Sequence, residues 1–251
     1  MLSEKTILGK LDSEPITTSD LLRTLKLSLG WQAVHDAFRD KLLERAYEHY
    51  GIVVSDQEVV GKMESYRKSR HIYTDGDTRA WLEANGLTDH DFAELIERDL
   101  KLARLKELLA ADKIEERFAL QKVVLSKVEL YQLMVKDKDR ATELMFLLND
   151  GANFWGLCKE YTEDLSTRQQ CGYLGVVLRS ALRPEAEGIV FAAQEGETVG
   201  PVCSLGRFYL FHVERFYPAL LDAETSKMLT EQIFAEWLEA QVHHSAIELF
   251  V

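Results

Sequence analysis

The chain has 251 residues, 46% of them hydrophobic, and a formal net charge of −12. That is enough apolar material for one large core or two modest ones. The acidic balance, with no run of Lys or Arg interleaved with aromatics, argues against a surface that tracks nucleic-acid phosphates, so no nucleic-acid partner is expected.

The sequence holds no stretch of about 18 consecutive apolar residues, which leads us to expect no membrane insertion. Its opening, Met1-Leu2-Ser3-Glu4-Lys5-Thr6, has no basic segment followed by an apolar core. On that pattern we expect a cytoplasmic chain. Cys158, Cys171 and Cys203 are odd in number and form no Cys-x-x-Cys pair, which fits reduced thiols better than a disulfide frame or a zinc clasp.

In chain order, a short extended segment at Thr6-Ile7-Leu8 is followed by Thr17-Thr18-Ser19-Asp20, which offers an N-cap for a first helix. Val34, Ala37, Phe38, Leu42 and Ala46 recur at helical spacing and predict one face of a long helix ending at Tyr50-Gly51. Ser55-Asp56-Gln57-Glu58 reads as a capping box for the next helix. Thr88-Asp89-His90-Asp91 starts another, whose apolar face is Phe92, Leu95, Ile96, Leu102 and Leu109. The first half therefore reads as a helical bundle.

From about Glu116 the pattern changes. Val128 to Val135 has the β-branched and aromatic content of a strand. Asp139 can cap a helix through Leu148, Asn153 a short helix through Tyr161, and Pro184 to Ala193 reads as one more. Phe208 to Val213 is a closing strand, and Asp222 to about Val242 returns to helix with Leu229, Ile233, Trp237 and Ala240 on one face. The expected class is α+β. Residues 1–116 form a helical domain on which 222–251 packs, and 117–221 form a domain with a small, mostly antiparallel sheet flanked by helices. Trp31, Trp81, Trp155 and Trp237 are expected to be packing residues. His243-His244 lack the spacing that puts two ligands on one helix face, so neither a metal site nor a cofactor is expected.

Two glycine-punctuated segments, Cys171-Gly172-Tyr173-Leu174-Gly175 and Gly196-Glu197-Thr198-Val199-Gly200-Pro201-Val202, carry a resemblance. Together with Gly151-Ala152-Asn153-Phe154 and Tyr161-Thr162-Glu163-Asp164, they resemble the parvulin domain of SurA/PrsA-type foldases. The helical half is similar to the chaperone domain that precedes it. The resemblance implies a peptidyl-prolyl cis-trans isomerase that acts on the X–Pro bonds of polypeptide clients. It places Asp164 at the family's Asp/Cys position, Ser204 at its hydroxyl position, Leu174 at the pocket Leu and Leu182 at the pocket Met.

The family's two histidines are replaced by Gln132 and Tyr209, its wall Phe by Ala186, and the first glycine of its glycine segment by Cys171. The implied catalytic set is Asp164, Gln132, Tyr209 and Ser204, and the implied substrate-binding set is Leu174, Leu182, Ala186 and Phe191. With both histidines absent, the alternative is a peptide-binding chaperone without turnover, whose client is a proline-containing polypeptide or a precursor peptide awaiting maturation or secretion. A third reading is a scaffolding subunit assembled through its terminal helix.

Overall fold

A computed structural model describes residues 6–12, 14–27 and 32–245. Met1 to Lys5 and Trp31 lie outside the described residues. The chain divides into two compact units, one made of residues 1–112 and 230–251 and the other of residues 113–229. The architecture is α+β, as the sequence pattern predicts.

The first unit opens with a two-stranded antiparallel hairpin, β1 (Ile7–Leu11) and β2 (Glu14–Thr17), where the sequence showed only one extended segment. Five helices follow: α1 (Thr18–Leu27), α2 (Gln32–His49), α3 (Asp56–Ser69), α4 (Asp75–Asn85) and α5 (Asp89–Ala110). The capping boxes at Ser55/Glu58 and Thr88/Asp91 both form, each satisfying amide donors that the first turn leaves open.

Helix α4 has no counterpart among the elements expected from the sequence. Thr74 makes a third capping box, its hydroxyl accepting from the Asp77 amide at 3.1 Å. The apolar faces also differ in detail. Among the described side chains of α2 the buried ones are Leu43 and Ala46, while Ala37 is exposed and Val34 lies outside the described side chains; on α5 Phe92, Ile96, Leu105 and Leu109 are buried and Leu95 is exposed. One core joins Leu43, Ala46, Leu105 and Leu109 to Ile233, with Trp237 packed against it. A second joins Leu82, Phe92 and Ile96, with Trp81 edge-on to Phe92 at 5.4 Å.

The second unit contains α6 (Ile114–Gln121), β3 (Lys127–Val135), α7 (Lys138–Asn149), α8 (Phe154–Tyr161), β4 (Tyr173–Leu178), α9 (Pro184–Ala192), β5 (Thr198–Ser204) and β6 (Arg207–Tyr217). Helix α10 (Ala223–His244) begins here and continues into the first unit. The cap of α7 is Asp137, which accepts from the Arg140 amide at 2.7 Å; Asp139, expected as the cap, already lies within the first turn. The sheet has the order β4-β3-β6-β5 and every pairing is antiparallel.

Because side chains alternate along a strand, each face of this sheet receives its own core. Val128, Leu130, Val202, Phe211 and Val213 pack with Ala186 and Val190 of α9. Leu133, Val135 and Leu210 pack with Ala141 and Leu144 of α7 and with Phe154 and Cys158 of α8. Among the described residues no helix is long and apolar enough to cross a membrane.

Candidate functional site: an apolar cavity on the sheet

The α9 face of the sheet carries a cavity of about 380 Å³. Its walls are apolar, formed by Leu174, Val177, Leu182, Ala186, Val202 and Phe211, and its polar groups are Gln132, Arg183, Ser204 and Tyr209. Strand register brings these distant positions together. Gln132 pairs with Phe211, Met134 with Tyr209, and Tyr209 with Val202. With a period of two, Gln132, Tyr209, Phe211, Val202 and Ser204 share one side.

Gln132 is anchored from below. Its Nε2 donates to Asp164 Oδ2 at 2.9 Å. The same carboxylate accepts from the Ser166 amide at 3.1 Å, the Ser166 hydroxyl at 2.6 Å and the Thr167 hydroxyl at 2.8 Å. These donors, Ser166 foremost, hold the Asp164 carboxyl below its ordinary value against the opposing effect of burial. Asp164 is therefore an ionised brace for its loop and for Gln132. It is not among the residues that line the cavity and meets them through its bond to Gln132.

The glycine segment sets the height of Gln132. The Gln132 amide donates to the Gly172 carbonyl at 2.8 Å, and Gly172 has φ +82°. A Cβ at residue 172 would overlap the Gln132 carbonyl and lie 2.7 Å from Cys158 Sγ. Cys158 itself donates to the Gln132 carbonyl at 3.3 Å, and burial pushes its thiol up to about 12, so it stays protonated. Thr162, fully buried, accepts from the Met134 amide at 3.2 Å and ties this loop to β3.

The remaining groups are held individually. Ser204 is 7% exposed and its hydroxyl accepts from Arg183 Nη1 at 3.0 Å. The Tyr209 ring lies parallel to Phe211, with centroids 6.0 Å apart at 9°, and among the described residues its hydroxyl has no hydrogen-bond partner. Of the substrate-binding positions that the resemblance implies, Leu174, Leu182 and Ala186 line the cavity and Phe191 does not. Phe191 packs on Phe216 at 5.4 Å with the Arg179 guanidinium 4.5 Å from its ring centroid.

Val177, Ala181, Arg183, Val202 and Phe211 also line the cavity and were not assigned to the site from the sequence. The i, i+2 spacing of Tyr209 with Phe211 and of Val202 with Ser204 was the available signal. His212 lies on the opposite face, its ring against Phe154, Trp155 and Tyr131 and its Nδ1 3.0 Å from the Thr198 hydroxyl. Burial there lowers its proton affinity.

Residues 134–215 match the PPIC-type PPIase domain of the rotamase family. That match decides the assignment of the second unit. It is a PPIC-type PPIase domain. The chain is also similar to foldase protein PrsA 2 of Listeria innocua, with 27% identity over 210 residues, covering 82% of this chain and 68% of that protein. PrsA 2 of Listeria monocytogenes is 26% identical over 237 residues, covering 93% and 75%. The crystal structure of the peptidylprolyl isomerase PrsA from Bacillus cereus superimposes with a TM-score of 0.55 at 22% identity, covering 99% of this chain and 95% of that one. The last comparison shows a shared fold, and the PPIC-type domain lies within it.

Proposed function

We propose that this chain is a peptidyl-prolyl cis-trans isomerase and foldase that takes proline-containing polypeptides as clients. The observation that carries the reading is a cavity with apolar walls from Leu174, Leu182, Ala186 and Val202 and with Gln132, Ser204 and Tyr209 at its polar end. The reaction needs no covalent step. Rotation about an X–Pro bond faces a barrier of about 20 kcal/mol because the planar amide is conjugated. An apolar enclosure disfavours that polar planar form, and donors aimed at the twisted amide favour the transition state.

Gln132 has one N–H committed to Asp164 and keeps its other N–H and its carbonyl oxygen for the client. Tyr209 keeps a hydroxyl that can donate. These neutral groups take the places that the family resemblance gives to histidine, so the expected rate has no histidine titration. NMR exchange spectroscopy on short peptides containing X–Pro tests the reading. Faster cis–trans exchange on adding protein supports it, and no acceleration across varied residues before proline removes it.

One observation favours a second reading, a peptide-holding chaperone without turnover. Ala186 occupies the wall position where a Phe would grip the ring, which leaves a looser enclosure around the proline. Under this reading the same peptides bind and their exchange rate stays unchanged.

A further inference from the structure

We infer that the sheet face opposite the apolar cavity is a docking surface for a basic polypeptide segment, an arginine of which lies on the rings of Tyr131 and Trp155 and pairs with Glu129. Strand register builds it. Tyr131 pairs with Tyr173 on one side and with His212 on the other, so three strands set these rings in one row. Helices α7 and α8 cover this face over Leu133, Val135 and Leu210. The row lies nearer the start of β3, where Tyr131 and Tyr173 are half-buried and Trp155, in the first turn of α8, is 37% exposed. Trp155 stands edge-on to Tyr131 at 6.0 Å, and Tyr131 is tilted against Tyr173 at 5.0 Å.

Two carboxylates adjoin the row. Glu129, two residues before Tyr131 and on its side of the sheet, accepts from the Tyr173 hydroxyl at 2.8 Å and from the Tyr217 hydroxyl at 2.9 Å. These bonds, that of Tyr173 foremost, hold its carboxyl below the ordinary value, so it is ionised. Each oxygen spends one lone pair on a phenol and keeps another for a cation. Arg215 acts on Glu129 through its charge and bonds the Tyr217 hydroxyl, while Lys127 acts on Asp222. Glu214 lies 3.9 Å from His212 Nε2, and burial lowers that imidazole below its ordinary 6.5, so Glu214 faces a neutral ring at pH 7.

Exposed rings beside ionised acids fit a cation with a flat face. A guanidinium stacks on a ring and forks to a carboxylate at once, whereas an ammonium supplies the charge without the plane. The chain makes the ring contact internally, with the Arg140 guanidinium 4.4 Å from the Tyr161 centroid. Its overall charge of −12 also favours encounter with a basic segment. This surface is separate from the cavity and does not depend on the prolyl reading.

The test uses the full chain, isotope-labelled at the tryptophan indoles, and blocked peptides Gly-Ser-Xaa-Ser-Xaa-Ser-Gly with Arg, Lys or citrulline at both variable positions. Citrulline keeps the shape of arginine and removes its charge. NMR titration gives the affinities, and loss of a signal in Trp155→Leu assigns the Trp155 indole. The arginine peptide should shift that indole and bind about fivefold tighter than the citrulline peptide, with the lysine peptide between them. The arginine preference should shrink with added salt. Glu129→Gln should bring the arginine-to-citrulline ratio to about twofold or less. Glu185→Gln makes the same charge change at an exposed position on α9, which packs on the other face, and should leave the ratio unchanged.

Equal affinity for the arginine and citrulline peptides, an equal loss in Glu129→Gln and Glu185→Gln, or an unmoved Trp155 signal overturns the inference. A Trp155 response to an uncharged proline-rich peptide, with none to the arginine peptide, assigns the rings to a polyproline ligand and overturns it as well. The arginine series contains no proline, so its failure leaves the isomerase reading standing, and absent prolyl turnover leaves this surface standing.

Discussion

The backbone of Gly172 lies against the carbonyl of Gln132 so closely that residue 172 has no room for a side chain. The Gln132 amide donates to the Gly172 carbonyl at 2.8 Å, while a Cβ on residue 172 would overlap the Gln132 carbonyl oxygen. The glycine of the sequence motif is thus the support that fixes Gln132 under the cavity. Gly172→Ala should cost about 3 kcal/mol or more, combining the strain of φ +82° with overpacking against β3. Gly206→Ala is the control, since Gly206 has φ +72° but open space around it, and should cost only about 1 kcal/mol. Urea midpoints for the two variants separate the clash from the backbone term, and equal losses would remove the close-contact argument.

One residue earlier the chain makes the opposite choice. Cys171 holds φ 55° and ψ 32°, a left-handed conformation that costs a residue with a Cβ. The resemblance places a glycine here, and in this chain the backbone at Cys171 is in the left-handed region that glycine adopts most readily. Cys171→Gly should therefore stabilise the protein by about 1 kcal/mol, the released strain exceeding the added entropy of the unfolded chain. Cys171→Ala removes the thiol and keeps the strain, so it should show no gain. A higher urea midpoint in both variants would assign the effect to the thiol instead.

Much of the cavity was legible because motif residues keep their spacing: Leu174, Leu182, Ala186, Ser204 and Tyr209 are all brought to one place. What escaped depends on long-range register. Phe211 and Val202 enter the cavity because β6 pairs with β3 and β5 in one alignment and not in its neighbour, and a single sequence does not encode that pairing locally. Phe191 fails to enter because its ring packs on Phe216, a partner 25 positions away. In the helical unit the caps at Ser55 and Thr88 were local and readable. The division of α5 into buried Ile96 and exposed Leu95 was decided by which neighbours arrive.

Asp164 should show its bracing role in the pH dependence of stability. Its carboxyl is held below the ordinary 3.8, chiefly by Ser166. A carboxylate depressed on folding contributes stability above its unfolded value, and that contribution is lost as the pH falls through the folded value. Asp164→Asn turns a charged acceptor into a neutral amide facing the N–H groups of Gln132 and Ser166, and should cost about 2 kcal/mol at neutral pH. The gap between wild type and variant should stay level from roughly pH 5 to 7 and close below about pH 4. Denaturant titrations across that range check it. A gap that persists unchanged at pH 2 would show that the carboxylate charge contributes nothing.

Tyr209 offers the sharpest separation of turnover from holding. Its ring stacks on Phe211, and its hydroxyl has no partner among the described residues. Tyr209→Phe keeps the stacked ring, so stability should change by less than about 0.5 kcal/mol. If the hydroxyl donates to the twisting amide, it acts more strongly in the transition state than on either planar isomer, and its loss should appear in kcat more than in KM. One such hydrogen bond is worth about 1 to 1.5 kcal/mol, so kcat/KM should fall about tenfold. Exchange spectroscopy at several peptide concentrations gives both constants. An unchanged kcat/KM would assign any isomerisation to the apolar walls and Gln132 alone, whereas a purely peptide-holding cavity would register the substitution only as weaker affinity.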